Sequence, residues 1–171
     1  MPILVTGAAG FIGYQVSEAL LARGEEVVGV DIVNDYYDVK LKYARLERLQ
    51  KNTGFTFNKV DISDVEAMKD MVAGIGELQS VVHLAAQVGV RYSITNPFEY
   101  VWANLVGHLS ILEICRNQPN FKHLVYASSS SVYGGNTKLP FSVDDRTDLP
   151  ISLYAATKKA DELMSHCYGH L

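Results

Sequence analysis

Tyr154 and Lys158 stand four residues apart in "YAATK", within a stretch of helical period. That spacing puts both side chains on one helix face, with Cβ atoms about 5–6 Å apart. An ammonium so close stabilises a phenolate, and it brings a phenol with a free pKa of about 10 toward the range of a general base. A second polar set, "SSSSVYG" at 128–134, follows an apolar run and offers hydroxyls that can hold a sugar hydroxyl beside a base. A third set, "VTGAAGFIG" at 5–13, spaces Gly7, Gly10 and Gly13 three apart behind another apolar run. Glycines there suit a turn that lets phosphate approach the backbone at a helix N-terminus, where free N–H groups and the helix dipole favour anions. Each set also has a plainer reading. Tyr154 and Lys158 fit an exposed helical pair, the serines a strand exit making local backbone bonds, and the glycines a tight turn with no ligand.

For the three sets to act together, the fold must bring them to one edge. Short β-branched runs, "ILVT" (3–6), "VVGVD" (27–31), "FTFNKVD" (55–61), "SVVHLAA" (80–86) and "HLVYASS" (123–129), alternate with helical patterns near 11–23, 38–51, 64–74, 97–117 and 152–168. The alternation predicts right-handed crossovers and an α/β fold: a Rossmann-like, doubly wound parallel sheet in three αβα layers. The ligand crevice of such a sheet lies beyond the carboxyl ends of its strands, which is where the glycine turn and the serine run fall. The segment "GGNTKLPFSVDDRTDLPI" reads as a surface loop.

With 171 residues, 48% of them hydrophobic, the chain has the content of one domain, taken as 1–171. The last helical pattern runs almost to Leu171 with no strand after it, so the chain reads as a fragment cut before a further lobe, or as an unusually short member of its class. A net charge of −4, with both signs evenly mixed, leaves no basic stripe for a nucleic acid polymer and no polybasic membrane anchor. No apolar run approaches membrane-spanning length, and the chain opens straight into "PILVTG", so a soluble, cytoplasmic protein is expected. The two cysteines, Cys115 and Cys167, lie in helical patterns without metal or redox spacing, and reduced, packed thiols with no metal site are expected.

The glycine set gains meaning from its neighbours in the chain. Gly7 bends the chain out of the first strand, Gly10 removes a Cβ that would keep a pyrophosphate away, and Gly13 lets the helix lie close on the sheet. The G-x-x-G-x-x-G spacing is one residue longer at its start than the common dinucleotide fingerprint. Asp31 ends the second strand 18 residues after Gly13, where a carboxylate accepts from adenosine ribose hydroxyls and repels a 2′-phosphate, which favours NAD over NADP. A helix cap is the alternative for Asp31. Asp61, ending the third strand, fits an adenine contact and a cap of the next helix equally well.

Together the glycine turn, "HLAAQ", "NLVGHLSILEIC", "SSSSVYG" and "YAATK" resemble the extended short-chain dehydrogenase/reductase superfamily, its NAD-dependent epimerase/dehydratase family, over nearly the whole chain. "DIVNDYYDVKLKYARLERL", "AAQVGVRYSITNP" and "ASSSSVYGGNTKLPFS" are most similar to the UDP-glucuronate 4-epimerases. The resemblance implies an isomerase that oxidises a UDP-sugar transiently at C4 and returns the hydride to the other face. It implies Tyr154 as general base, Lys158 as the group that eases its ionisation and holds the nicotinamide ribose, and Ser129 as donor to the sugar 4-hydroxyl, with Ser130 as the fallback. It assigns the cofactor NAD to Gly7, Gly10, Phe11, Ile12, Gly13, Asp31, Asp61, Ile62, Ala85 and Ala86, besides Tyr154 and Lys158.

Arg91 lies where it can meet a substrate carboxylate or phosphate, and fits a solvated loop equally well. His83 reads as packing at its strand end, and Tyr36 and Tyr37 as a cover for the adenine side or as surface aromatics. A sugar 4,6-dehydratase carries an Asp-Glu pair just before its "VYG", where this chain has Ser130 and Ser131, so epimerisation is favoured over dehydration. A simple oxidoreductase and a non-catalytic NAD-binding module are the other readings. The family's helices corresponding to 97–117 and 152–168 form a dimer interface, which implies a homodimer. The substrate lobe of the family is absent from this chain, so residues 1–171 alone are expected to bind NAD without efficient turnover.

Overall fold

The structure is a computed structural model that describes residues 1–171. Strand β1 (Ile3–Thr6) leads into helix α1 (Phe11–Ala22), followed by β2 (Val27–Val30), α2 (Val39–Leu49), β3 (Phe55–Asn58), α3 (Val65–Ile75) and β4 (Ser80–His83). Two short helices, α4 (Tyr92–Thr95) and α5 (Pro97–Tyr100), then precede a π-helical stretch, Val101–Val106, that continues into α6 (Gly107–Arg116). The chain closes with β5 (His123–Tyr126), a 3-10 turn at Ser130–Tyr133 and α7 (Leu153–Tyr168).

All five strands pair in parallel, in the order β3-β2-β1-β4-β5. The chain order reverses between β1 and β4, and a crevice opens at the carboxyl ends beside such a reversal. β1 and β2 are buried on both faces. Successive side chains of β1 therefore feed two cores: Ile3 and Val5 pack with Tyr14, Leu46 and Phe55, whereas Leu4 packs with Met68, Leu78 and Ile111. The α/β, three-layer expectation is borne out.

Helices start where short polar side chains can hold orphan N–H groups. Asp38 accepts from Lys40 N before α2, Asp64 from Ala67 N before α3, and Ser152 from Ala155 N before α7. Neither Asp31 nor Asp61 is the capping residue of the next helix. The strands are shorter than the apolar runs that announced them, since residues such as Asp31, Asp61 and Ala85 leave the ladder and form the crevice rim. The pattern at 97–117 is one helical run in three segments, α, π and α again, a division that the apolar periodicity did not reveal. The loop at 134–151 has no strand or helix. Cys115 is buried, and burial pushes its thiol up to about 12. Cys167 is exposed, which corrects the expectation that both thiols are packed: it lies on the outer side of the last turn of α7. No helix is long and apolar enough to cross a membrane.

Candidate active site

The glycine turn is shaped by two close approaches. Gly7 leaves β1 with φ +72, and a Cβ there would lie 2.8 Å from the Ala85 nitrogen on the neighbouring strand exit. A Cβ on Gly13 would lie 2.0 Å from the Gly7 carbonyl oxygen. Gly13 thus lets α1 sit against the turn itself, not only against the sheet. Thr6 ties the same two strand ends: its Oγ1 accepts from the nitrogens of Leu84 and Ala85 at 3.2 and 3.1 Å and bonds His83 Nδ1 at 2.7 Å. His83 is buried, as expected, and burial holds its imidazole well below the usual value, hence neutral.

Beyond these strand ends lies a cleft of ≈ 570 Å³. Gly7, Gly10, Phe11, Ile12 and Gly13 line one side. Phe11 and Ile12 are 69% and 59% exposed, so the first turn of α1 faces the cleft with apolar side chains. Asp31, Asp61, Ile62, Ala85 and Ala86 continue the wall, and Tyr154 and Lys158 close it. Residues drawn from the two ends of the chain therefore share one cavity.

Asp31 has a structural task as well. Its Oδ2 accepts from Ala9 N in the glycine turn at 3.1 Å, and Oδ1 from Val33 N at 2.7 Å. Val33 is buried at φ 54, a left-handed conformation that a β-branched residue seldom adopts, so the carboxylate holds a strained exit from β2. Asp61 Oδ1 accepts from the Ser63 nitrogen and hydroxyl at 2.9 and 2.8 Å, a local turn that leaves its second oxygen outside that pair of bonds.

Residues not singled out in the sequence complete this end. Lys42 is buried and donates to the Asn34 carbonyl and side chain at 2.8 and 2.7 Å; burial pushes its ammonium down, while Asp31 pulls it back up. Arg45 donates to Ala9 O and to the Tyr37 hydroxyl. Tyr36 and Tyr37, expected to cover the adenine side or to be surface aromatics, line the cleft beside Lys42 and Arg45.

At the opposite end the Tyr100 and Tyr154 rings pack in a T-shaped pair, with centroids 6.0 Å apart. Burial pushes the Tyr100 phenol up to about 12, so it stays a donor, here to the Val88 carbonyl at 2.7 Å. Asn104, in the π-helical stretch and 1% exposed, accepts from Gln87 N at 2.8 Å and donates to Gln87 O and Thr157 Oγ1 at 3.1 and 3.0 Å. Thr157 donates in turn to the Tyr154 carbonyl at 2.9 Å. Asn104 thereby joins the strand exit at Gln87 to the turn of α7 that carries the phenol. A π-turn re-aims side chains within a helix and recurs at functional sites.

Three expected substrate residues lie off the cleft wall. Ser129 caps the 3-10 turn, its Oγ accepting from Ser131 N and donating to Ser131 Oγ, both at 3.2 Å. Ser130 is exposed in that turn, and Arg91 is exposed at the start of α4. Of the serine run, Ser128 reaches the cleft, with its Oγ donating to Glu162 Oε1 at 2.6 Å.

The sequence model of one protein family, described as GDP-mannose 4,6 dehydratase, matches residues 4–171. The chain belongs to that family. This dehydratase-family chain is 52% identical over 99% of its length to UDP-glucuronate 4-epimerase 4 of Arabidopsis thaliana, of which it covers 38%. It is also 52% identical throughout to protein CapI of Staphylococcus aureus, of which it covers 50%. Among solved structures, the UDP-glucuronic acid 4-epimerase from Bacillus cereus in complex with UDP-glucuronic acid and NAD has a TM-score of 0.85 at 35% identity, over 98% of this chain and 52% of that one. The chain thus spans about half the length of the relatives it matches.

Proposed function

We propose that residues 1–171 form the NAD-binding part of a nucleotide-sugar 4-epimerase that acts on a UDP-sugar, with UDP-glucuronate and UDP-galacturonate as the interconverted pair. The observation that carries this reading is the shared cleft: Tyr154 and Lys158 line the same cavity as the glycine turn and Asp31. The relatives and structural neighbour named as epimerases of this sugar support the substrate.

The residues present fit a dinucleotide. The cradle at Gly7 and Gly13 admits no Cβ, and α1 begins at that cradle, which suits a pyrophosphate. Gly7, Gly10, Phe11, Ile12 and Gly13 would hold the phosphates, Asp31 the adenosine ribose, Asp61 and Ile62 the adenine, and Ala85 and Ala86 the middle of the cofactor. Tyr154 and Lys158 would flank the nicotinamide ribose. NAD, when bound, supplies the hydride acceptor and donor for a transient oxidation at sugar C4. Tyr154 takes the 4-hydroxyl proton and later returns it, and Lys158 stabilises the phenolate meanwhile. Ser129 donates to the 4-oxygen after exchanging its bond with Ser131, Ser130 stands beside it, and Arg91 meets the anionic part of the substrate from the rim.

The family description favours a second reading, a nucleotide-sugar 4,6-dehydratase. Ser130 and Ser131 stand where that reaction places its acid pair, which argues for epimerisation. Homodimer formation belongs to the same proposal, supported by exposed Leu109 on α6 and Leu163 on α7. So does a cytoplasmic location, supported by two free cysteines.

The test incubates the intact protein, of which these residues are part, with UDP-glucuronic acid and resolves the products by chromatography. UDP-galacturonic acid should form, protein-bound NAD should be recovered, and Tyr154→Phe should lower kcat by roughly 10²–10⁴-fold. A 4-keto-6-deoxy product in a parallel incubation with GDP-mannose would select the dehydratase; bound NAD with no turnover of either sugar would leave a binding module. Residues 1–171 alone should bind NAD without efficient turnover.

A further inference from the structure

A buried carboxylate backs the cation of the cleft. Lys158 and Asp161 lie on one face of α7 with side chains 6% and 1% exposed. Lys158 Nζ donates to Asp161 Oδ2 and to the Ala127 carbonyl, both at 3.1 Å. Two of its three donors are thus fixed from behind, while the same side chain lines the cleft. Asp161 Oδ1 is buried with no partner. Burial pushes the Asp161 carboxyl up to about 6, against the pull of Lys158.

One other anion faces the pair, Glu162, whose charge helps raise the Asp161 carboxyl and whose own oxygens are taken by Lys159 and Ser128. His108 on α6 and His83 on β4 both feel Lys158, but burial holds His108 down at about 4 and His83 well below its usual value. Tyr126 of β5 packs edge-on against His108. On α7 itself, Tyr154 carries the phenol that Lys158 serves. A buried ammonium left without an anion is costly, and its proton is more easily lost.

We propose that Asp161 is a positioning residue for the Tyr154–Lys158 pair: its carboxylate holds the Lys158 ammonium against the exit of β5 at Ala127, and its charge sets the pH range over which the pair works. The inference rests on the reading of Tyr154 as the base. Removing a nearby negative charge makes every neighbouring proton easier to lose, so the sign of the effect is fixed.

In the intact protein, kcat/KM for UDP-glucuronate is followed against pH for wild type, Asp161→Asn and Asp161→Glu. The limb that reports deprotonation should move to lower pH by about half a unit or more in Asp161→Asn and stay in place in Asp161→Glu. A wild-type limb in a folded Asp161→Asn protein overturns the proposal. If that variant fails to fold, the Lys158→Met, Asp161→Asn double variant decides: it should fold and give a cooperative thermal melt, and a double that also fails to fold overturns the pairing. The melts need no turnover. A chain that shows this coupling but does not epimerise UDP-glucuronate loses the functional reading and keeps the pair.

Discussion

The carbonyl oxygen of Gly7 occupies the space, 2.0 Å away, where a Cβ on Gly13 would stand. That carbonyl also accepts from Gly10 N at 2.9 Å, so the turn cannot simply rotate it aside. Gly13→Ala must lift the start of α1 or deform the turn. The expected cost is about 1–3 kcal/mol of stability, a drop of roughly 2–10 °C in Tm, read by thermal unfolding. NAD affinity should fall at least about tenfold, the equivalent of ~1.4 kcal/mol. An alanine variant with wild-type Tm and affinity would mean that the turn is not the cofactor cradle.

Asp31 links cofactor choice to the integrity of the rim. Its two oxygens accept from Ala9 N and Val33 N, and Asn can offer only one acceptor oxygen. Asp31→Asn is expected to destabilise the fold by about 1–3 kcal/mol, since one buried N–H loses its partner. It also removes the charge that repels a 2′-phosphate. Titration of the variant with NAD and NADP should show the preference for NAD shrinking, mainly through weaker NAD binding; an unchanged ratio would remove Asp31 from the ribose contact.

The elements were legible because the strands are apolar runs cut by polar exits; the order β3-β2-β1-β4-β5 was not, since chain connectivity fixes the hand of each crossover but not the reversal at β1. Gly7, Gly13, Asp31, Tyr154 and Lys158 were legible for a related reason, as each departs from what its local pattern wants. Asn104 was not. In the sequence it is one polar residue in a helical stretch, and nothing in its spacing reports that the helix opens into a π register or that its amide joins Gln87 to Thr157. Lys42 is one of several lysines in a charged helical stretch, with nothing in its spacing to mark it, and is buried. Asp161 fits a solvated helix equally well until the depth of α7 is known. Contacts across long sequence separations carry no periodic signature, so these three needed the fold.

Acid should destabilise the protein through its buried histidines. His108 is held at about 4 when folded, against about 6.5 for a free histidine. Between those values the unfolded chain binds a proton that the folded chain refuses, so stability falls as pH drops through that window and is fully recovered above it. The total for His108 is on the order of 3 kcal/mol, and His83 adds in the same direction. Asp161 acts oppositely: with its carboxyl raised to about 6, the folded chain takes that proton first, which favours folding on the acid side and is lost as pH rises through about 6. Urea unfolding at pH 7, 6 and 5 should show falling stability, with a shallower fall in His108→Asn. Equal slopes in the two proteins would show that His108 is not the buried neutral base.

The serine run puts two hydroxyls in different surroundings: Ser128 lines the cleft, and Ser129, the expected donor, does not. Ser128 Oγ donates to Glu162, which Lys159 Nζ also holds at 2.9 Å, so Ser128→Ala leaves that carboxylate paired. Its expected effect on turnover is within a few-fold. Ser129 is partly buried, and its hydroxyl is engaged only with Ser131 two residues on. If Ser129 supplies the hydrogen bond to the sugar 4-oxygen, that bond strengthens as charge develops there, and Ser129→Ala should lower kcat by about 10²-fold with little change in KM. Loss of the local bond to Ser131 N alone would lower Tm slightly and leave kcat near wild type. Steady-state kinetics of the two alanine variants in the intact protein distinguish these outcomes: a large kcat loss at Ser128 with a small one at Ser129 would move the donor to the hydroxyl that lines the cleft.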